Sequence, residues 1–316
     1  PAEHTPAFTI ADGVKFMPLN NLPNLKEAPR AFVVIGSGKT GMDACLWLLE
    51  TGVEPDAIRW IMPRDSWMLP REFAQPAPEF FASTFGNQAN QFEAIAGAAD
   101  LDDMYARLEA AGCVVRFDET IKPTMFHAAT ISQAELQALR RIKNVVRMGR
   151  VTALERDCIF LEDGEIETAP DILHIDCSAS LSRTMKTMEP KPVFDGNIIT
   201  PQTVRSFMPV FSGSMIAYVD AHYTDEEEKN KLCSVVPLPN TAEDFVHMTL
   251  AAMMNQFTWS QDDTLRRWIR ENRLDGFSKL THGVDRDDQE KMAILMRLRD
   301  NAPKAVGKLM ELASAL

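Results

Sequence analysis

The stretch from Ala31 to Gly52 constrains this chain more than any other part of it. Ala31-Phe32-Val33-Val34-Ile35 is a continuous apolar run rich in β-branched residues, the pattern of a strand buried on both faces. Gly36-Ser37-Gly38-Lys39-Thr40-Gly41 follows at once. Met42, Cys45, Leu46 and Leu49 then recur at i, i+3, i+4 and i+7, which predicts an amphipathic helix stopped at Gly52. A G-x-G-x-x-G run carries meaning when it leaves a strand and opens a helix in this way. The first glycine makes the tight turn, the second removes a side chain so that a pyrophosphate can reach the backbone, and the third lets helix and strand pack closely. Unpaired N–H groups and the dipole at the helix start favour the phosphates. Gly36, Ser37, Gly38, Lys39, Thr40 and Gly41 are therefore read as cofactor-binding residues, the plain alternative being a glycine turn with no ligand. A P-loop ending in Gly38-Lys39-Thr40 is disfavoured, because the glycine it requires falls on Val33 inside the strand.

The choice of nicotinamide nucleotide is usually made after the second strand, where an acidic residue grips the ribose 2′-hydroxyl or an arginine accepts a 2′-phosphate. Ile58–Met62 reads as that strand, and Pro63-Arg64-Asp65-Ser66 follows it. Arg64 comes first, with Arg71 as a second cation, and a guanidinium matches phosphate geometry. NADPH is expected over NADH. Asp65 argues the other way, and an ion pair between these neighbours is the alternative without a ligand.

At ~150 residues per domain, a length of 316 residues suggests about two domains. Residues 1–30 hold five prolines and read as an extended lead-in. Residues 68–144 read as a helical insertion, with a helix from Leu101 to Ala111 closed by Gly112. Ser132 and Glu135 have capping-box spacing, which predicts a helix over Gln133–Lys143. Short strands follow at Val145–Val151, Cys158–Leu161 and Ile166–Thr168, the last two joined by the turn Glu162-Asp163-Gly164-Glu165. Ile172–Ile175 is one more buried strand, ending in the small-residue loop Asp176-Cys177-Ser178-Ala179-Ser180. Beyond residue 184 the pattern is helical. Thr224 with Glu227 and Thr241 with Asp244 offer N-caps, Phe245, Met248, Thr249, Met253 and Phe257 form an apolar stripe, and Pro303 is expected to break the helices of Gln289–Leu312. The expected fold is α/β: a Rossmann-like three-layer NAD(P)-binding domain over 31–183 with a β-meander, then an α-rich region over 184–316.

Several function classes are disfavoured. The 33 basic and 45 acidic residues give a net charge of −12, which repels phosphate backbones, and Arg140, Arg141, Lys143, Arg147 and Arg150 read as a solvated helix face rather than a nucleic-acid stripe. No apolar run approaches the ~20 residues of a membrane span, and no secretory leader is present, so a soluble cytoplasmic protein is expected. Cys45, Cys113, Cys158, Cys177 and Cys233 never form C-x-x-C, which argues against a zinc site, a disulfide framework or a redox dithiol; no metal is expected. Phe211-Ser212-Gly213-Ser214-Met215 fails the G-x-S-x-G pattern. His127, His174 and His222 are the titratable candidates, and a lone histidine is more often satisfied in a core than catalytic, so none is assigned a catalytic role.

On Val33-Val34-Ile35-Gly36-Ser37-Gly38-Lys39-Thr40-Gly41-Met42-Asp43, Trp60-Ile61-Met62-Pro63-Arg64 and the closing Ile175-Asp176-Cys177-Ser178, the chain resembles the two-dinucleotide-domain flavoproteins, both pyridine-nucleotide-disulfide oxidoreductase-like and flavin-monooxygenase-like. In those proteins a three-stranded meander replaces one crossover helix, as residues 145–180 read. The resemblance implies an NAD(P)H- and FAD-dependent oxidoreductase passing hydride from NADPH to flavin and acting on a small-molecule substrate. Such proteins place an FAD fingerprint before the NADPH module. Gly97 and Gly213 have no partners at that spacing, so the chain looks like the later portion of a longer flavoprotein, with its flavin half absent or diverged. The missing dithiol favours the monooxygenase-like branch. The alternative is a non-enzymatic NAD(P)H-binding module that senses redox state or organises an assembly. A homo-oligomer is compatible with either.

Overall fold

The computed structural model describes residues 5–179 and 191–316. The chain divides into two compact units, Pro1–Leu69 with Arg116–Thr184 and Pro70–Val115 with Met185–Leu316.

The first unit is α/β. Its centre is a five-stranded parallel sheet in the order β2 (Phe16–Pro18), β11 (Ile172–Asp176), β3 (Ala31–Ile35), β4 (Ile58–Ile61) and β7 (Val145–Val146). Four of the five residues of β3 are buried, because strands pair with it on both edges and layers cover both faces. Side chains alternate across a strand. Val33, Ile35 and Ile61 accordingly join one cluster with Val151, Leu154, Ile159 and Leu161. Those four come from β8 (Val151–Leu154) and β9 (Cys158–Leu161), which with β10 (Gly164–Glu167) form an antiparallel meander. β1 (Thr9–Ile10) adds to the meander alongside β8. α1 (Lys39–Glu50) packs with β3 and beside α4 (Gln133–Leu139), burying Met42, Cys45, Leu46 and Leu48. β5 (Ser66–Pro70) and β6 (Met125–Ile131) pair separately.

Several expectations change here. Residues 5–30 are not a lead-in outside the domain, since β1 and β2 are strands of its two larger sheets. Val145–Val151 is not one strand. It splits at Gly149, whose φ is +73°, so that β7 closes the parallel sheet and β8 opens the meander. The hairpin turn is the two-residue Glu162-Asp163, with Gly164 already paired to Leu161. The capping box forms as expected, Ser132 N–H donating to Glu135 Oε2 at 2.6 Å and Glu135 N–H to Ser132 Oγ at 3.2 Å. The helix stops at Leu139 rather than Lys143, with Arg140 as its C-cap, whose guanidinium reaches the carbonyls of Phe117 and Arg116 at 2.8 and 3.0 Å. The basic cluster is therefore not one helix face.

The second unit is mainly helical. The expected insertion over 68–144 is not a lobe of the first unit: residues 70–115 belong with the C-terminal half, and residues 116–144 return to the first unit. Tertiary packing explains this. α2 (Phe81–Ala96), followed by α3 (Leu101–Ala110), packs on the long helix α10 (Gln289–Ala315), where Phe81, Phe85 and Ile294 share a core. Arg297 fastens that contact by bonding both oxygens of Glu93, at 2.8 and 2.6 Å. Pro303 does not break α10, because buried residues on either side of it, Ile294 before and Ala305, Leu309 and Leu312 after, hold the helix in place. A second core joins the hairpin β12 (Phe194–Asp195) and β13 (Ile198–Ile199) to α5 (Pro209–His222), α6 (Glu226–Leu232), α7 (Asp244–Ser260) and α8 (Asp263–Glu271). α9 (Ser278–His282) leads towards α10. The stripe expected on α7 holds at Phe245, Met248 and Thr249, whereas Phe257 is exposed. Among the described residues no helix is long and apolar enough to cross a membrane.

Candidate functional site

The three glycines of the turn meet three different surroundings. Gly36 has φ +123°, and a Cβ there would lie 2.4 Å from the carbonyl oxygen of Cys177. Strand pairing imposes that approach, since Cys177 N–H donates to the Ile35 carbonyl at 2.9 Å directly after β11. The small-residue loop after β11 thus packs against the glycine turn. Asp176 shapes it by accepting from Ser178 N–H and Oγ–H at 2.9 and 2.6 Å. Ser180 lies outside the described residues. A Cβ on Gly41 would lie 2.1 Å from the Gly36 carbonyl oxygen, which also accepts from Trp60 Nε1–H at 2.8 Å. Gly41 therefore lets the first turn of α1 rest on the end of β3.

Gly38 differs from both. A Cβ there would meet no atom within 4 Å, and its φ of −75° is open to any residue. Neither packing nor backbone conformation asks for glycine at this position. It is the N-cap of α1 and caps with no side chain. Among the described residues the N–H groups of Ser37, Gly38, Lys39 and Thr40 have no acceptor, while those of Gly41 and Met42 turn back to the Gly38 carbonyl. These are the donors and the clearance that an approaching diphosphate requires. Lys39 does not lean over this opening; its ammonium pairs with Asp43 one turn along the helix.

At the end of β4, Pro63 leads to Arg64, which is exposed, and Asp65, which is buried. Asp65 pairs with Arg147, a partner that sequence reasoning missed because 82 residues separate the two. Arg64 also contributes to holding the Glu162 carboxyl below its ordinary value, behind the Arg150 N–H and guanidinium. Arg71 belongs to the second unit, so the fold of the first does not bring it together with the turn and Arg64.

Of the remaining candidates, His127 lies in β6, half-buried. His174, in β11, has both ring nitrogens engaged: Nδ1 donates to the Lys15 carbonyl at 3.0 Å and Nε2 accepts from Thr168 Oγ1–H at 2.8 Å. Burial pushes its pKa down, which keeps the ring neutral. His222 is exposed at the end of α5, stacked on Tyr218. Burial pushes the thiols of Cys113, Cys177 and Cys233 up to about 12, and Cys45 is raised for the same reason, so these are poor nucleophiles. Among the described residues no group of three or more His, Cys, Asp or Glu is placed to hold a metal ion.

Comparison with known proteins adds relatives but no activity. The chain is 36% identical over 318 aligned residues to proteins of Mycobacterium bovis and of two strains of Mycobacterium tuberculosis, each described as uncharacterized. The alignment takes in 100% of this chain and 58% of each relative, so the chain spans little more than half their length. No protein-family profile and no solved structure matches the chain.

Proposed function

We propose that the first unit is a Rossmann-like dinucleotide-binding domain that takes NADPH, with the diphosphate on the N–H groups of residues 37–40. The single observation that carries this reading is Gly38. Gly36 and Gly41 are needed by the protein itself, so their presence would fit an empty turn equally well. Gly38 is neither pressed against a neighbour nor held in a glycine-only conformation; beyond the general favour for glycine at an N-cap, the clearance it leaves over the open N–H groups is what a bound diphosphate requires. Arg64, exposed after β4 while Asp65 is withdrawn, supports the 2′-phosphorylated cofactor.

When bound, NADPH would supply a hydride. The residues of this chain would bind and orient the cofactor, and no acid or base near the turn is assigned to the chemistry. FAD does not fit a second site of the same kind here. Gly97 follows the end of α2 and Gly213 lies inside α5, so neither forms a strand-to-helix turn. The hydride acceptor in this reading is a flavin held by another module of a longer, monooxygenase-like oxidoreductase, acting on a small-molecule substrate. The extra length of the mycobacterial relatives leaves room for such a module.

Titration of the chain with NADPH and NADH, followed by Trp fluorescence or calorimetry, tests the reading through Gly38→Val. The variant is expected to stay folded, melting within about 1 kcal/mol of the parent because valine caps a helix less well than glycine, and to lose at least about tenfold in NADPH affinity. Binding of neither nucleotide by the parent, or unchanged affinity in a folded Gly38→Val protein, overturns it. Arg64→Ala is expected to level the affinities for the two cofactors. A full-length protein that is yellow and bleached by NADPH supports the oxidoreductase. A colourless one that still binds NADPH supports a redox-sensing or assembly module instead.

A further inference from the structure

The loop after β4 carries two charges of opposite sign side by side, and the fold treats them differently. Arg64 is exposed, whereas the Asp65 side chain is 4% exposed. Both Asp65 oxygens are held by one guanidinium: Arg147 Nε donates to Oδ2 at 2.7 Å and Nη2 to Oδ1 at 3.1 Å. Arg147 Nη2 also reaches Asp118 Oδ2 at 3.2 Å, so the cation is anchored from two sides. Sheet register sets this meeting. β7 lies beside β4 with Val146 opposite Ile61, and Met62 N–H donates to the Val146 carbonyl at 2.9 Å, so Arg147 leaves the sheet alongside the loop that carries Asp65. The Asp65 backbone is fixed as well, its carbonyl accepting from Thr124 and Met125 N–H at 3.2 and 3.1 Å.

We propose that Arg147 is a positioning residue for cofactor choice: by holding the Asp65 carboxylate inside the domain, it leaves Arg64 as the charge that the loop after β4 presents to the adenosine ribose. This rests on the NADPH reading above. A carboxylate at this place in a dinucleotide fold accepts hydrogen bonds from a free 2′-hydroxyl and repels a 2′-phosphate. Removal of Arg147 leaves Asp65 buried without its counter-ion, a state a carboxylate escapes by turning to water. On this loop, turning to water brings it towards the ribose. The ion pair is thus the lock that makes a sequence with both residues behave as if it had only the arginine.

The test compares the ratio of NADPH to NADH affinity in the parent, Arg147→Gln, Arg147→Lys and the double variant Arg147→Gln with Asp65→Asn. Arg147→Gln is expected to lower the ratio by about tenfold, and the double variant to restore it to within about twofold of the parent, because no carboxylate remains to be released. Arg147→Lys keeps a cation beside Asp65 but cannot grip both oxygens, so it gives a partial fall and serves where Arg147→Gln fails to fold. General damage to the domain weakens both nucleotides together and leaves the ratio alone. A parent that binds NADPH, with a ratio that stays put in Arg147→Gln and Arg147→Lys, overturns this inference alone. An equal fall in the single and double variants also overturns it, since the charge of Arg147 itself would then set the choice. A parent that binds neither nucleotide ends the underlying reading.

Discussion

In the first unit the candidate site is made of backbone: N–H groups of residues 37–40, a glycine with clearance around it and two glycines pressed against carbonyl groups. In the second unit the decisive groups are buried side chains. Asp275 is 1% exposed and takes an ion pair from Arg205 at 2.8 Å, with Phe277 and Ser278 N–H donating to its other oxygen at 3.0 and 3.1 Å. Arg205 also lies over the Phe211 ring at 5.0 Å. The difference teaches where each unit tolerates change. A backbone site depends on what is absent from Cα, and it fails when an atom is added. A buried ion pair depends on what is present, and it fails when an atom is removed.

The largest expected effect is at Gly41. Gly41→Ala puts a methyl group into the Gly36 carbonyl and is expected to cost the first unit its folded state, seen in urea melts as a loss of about 3 kcal/mol or more. Gly38→Ala, inside the same motif, is expected to cost only about 1 kcal/mol, the preference for glycine over alanine at an N-cap. Equal costs would erase the distinction between a packing glycine and a ligand glycine. In the second unit, Arg205→Met strands the Asp275 carboxylate and is expected to cost about 3–5 kcal/mol by calorimetry, with part of it recovered when Asp275→Asn is added.

Acid sharpens the comparison further. Burial holds His174 below its ordinary value of 6.5, so the unfolded chain takes up its proton first. That contribution to stability is complete above about pH 6.5 and is lost as pH falls below it. Asp275 behaves differently: burial pushes its pKa up, but Arg205 and the surrounding donors outweigh this and hold it below 3.8. Its contribution persists until pH drops under 3.8 and then fades through the lower folded value. Below about pH 6.5 the first unit is expected to weaken on account of His174, and His174→Asn to flatten that slope in pH-dependent urea melts. A slope unchanged in the variant would place the sensitivity elsewhere. The smallest effect belongs to Lys39→Ala, which breaks a surface pair with Asp43 and is expected to change stability by under about 0.5 kcal/mol.

Local pattern carried much of the first unit. The unbroken apolar run gave away β3, the 3.6-residue stripe α1, the span Cys158–Leu161 the strand β9, and Ser132 with Glu135 the start of α4. Each depends on residues a few positions apart, whose spacing alone decides which side chains share a face. Pro-rich residues 1–30 were legible as extended chain but not as strands, because β2 exists only through its pairing with β11. The failure at Pro303 has the same origin, since contacts with α2 outweigh the local cost of a proline.

The amino-acid order determined by itself that a buried strand, a glycine turn and a helix stand in succession, because those demands are met within one short stretch of backbone. Only the tertiary structure decided which glycines are pressed against carbonyl groups and which has clearance, which half of the chain claims residues 70–115, and that Asp65 turns inward to Arg147. Those outcomes depend on atoms brought together from remote points of the chain, where pairing and exclusion from water, rather than spacing along the backbone, set the energy.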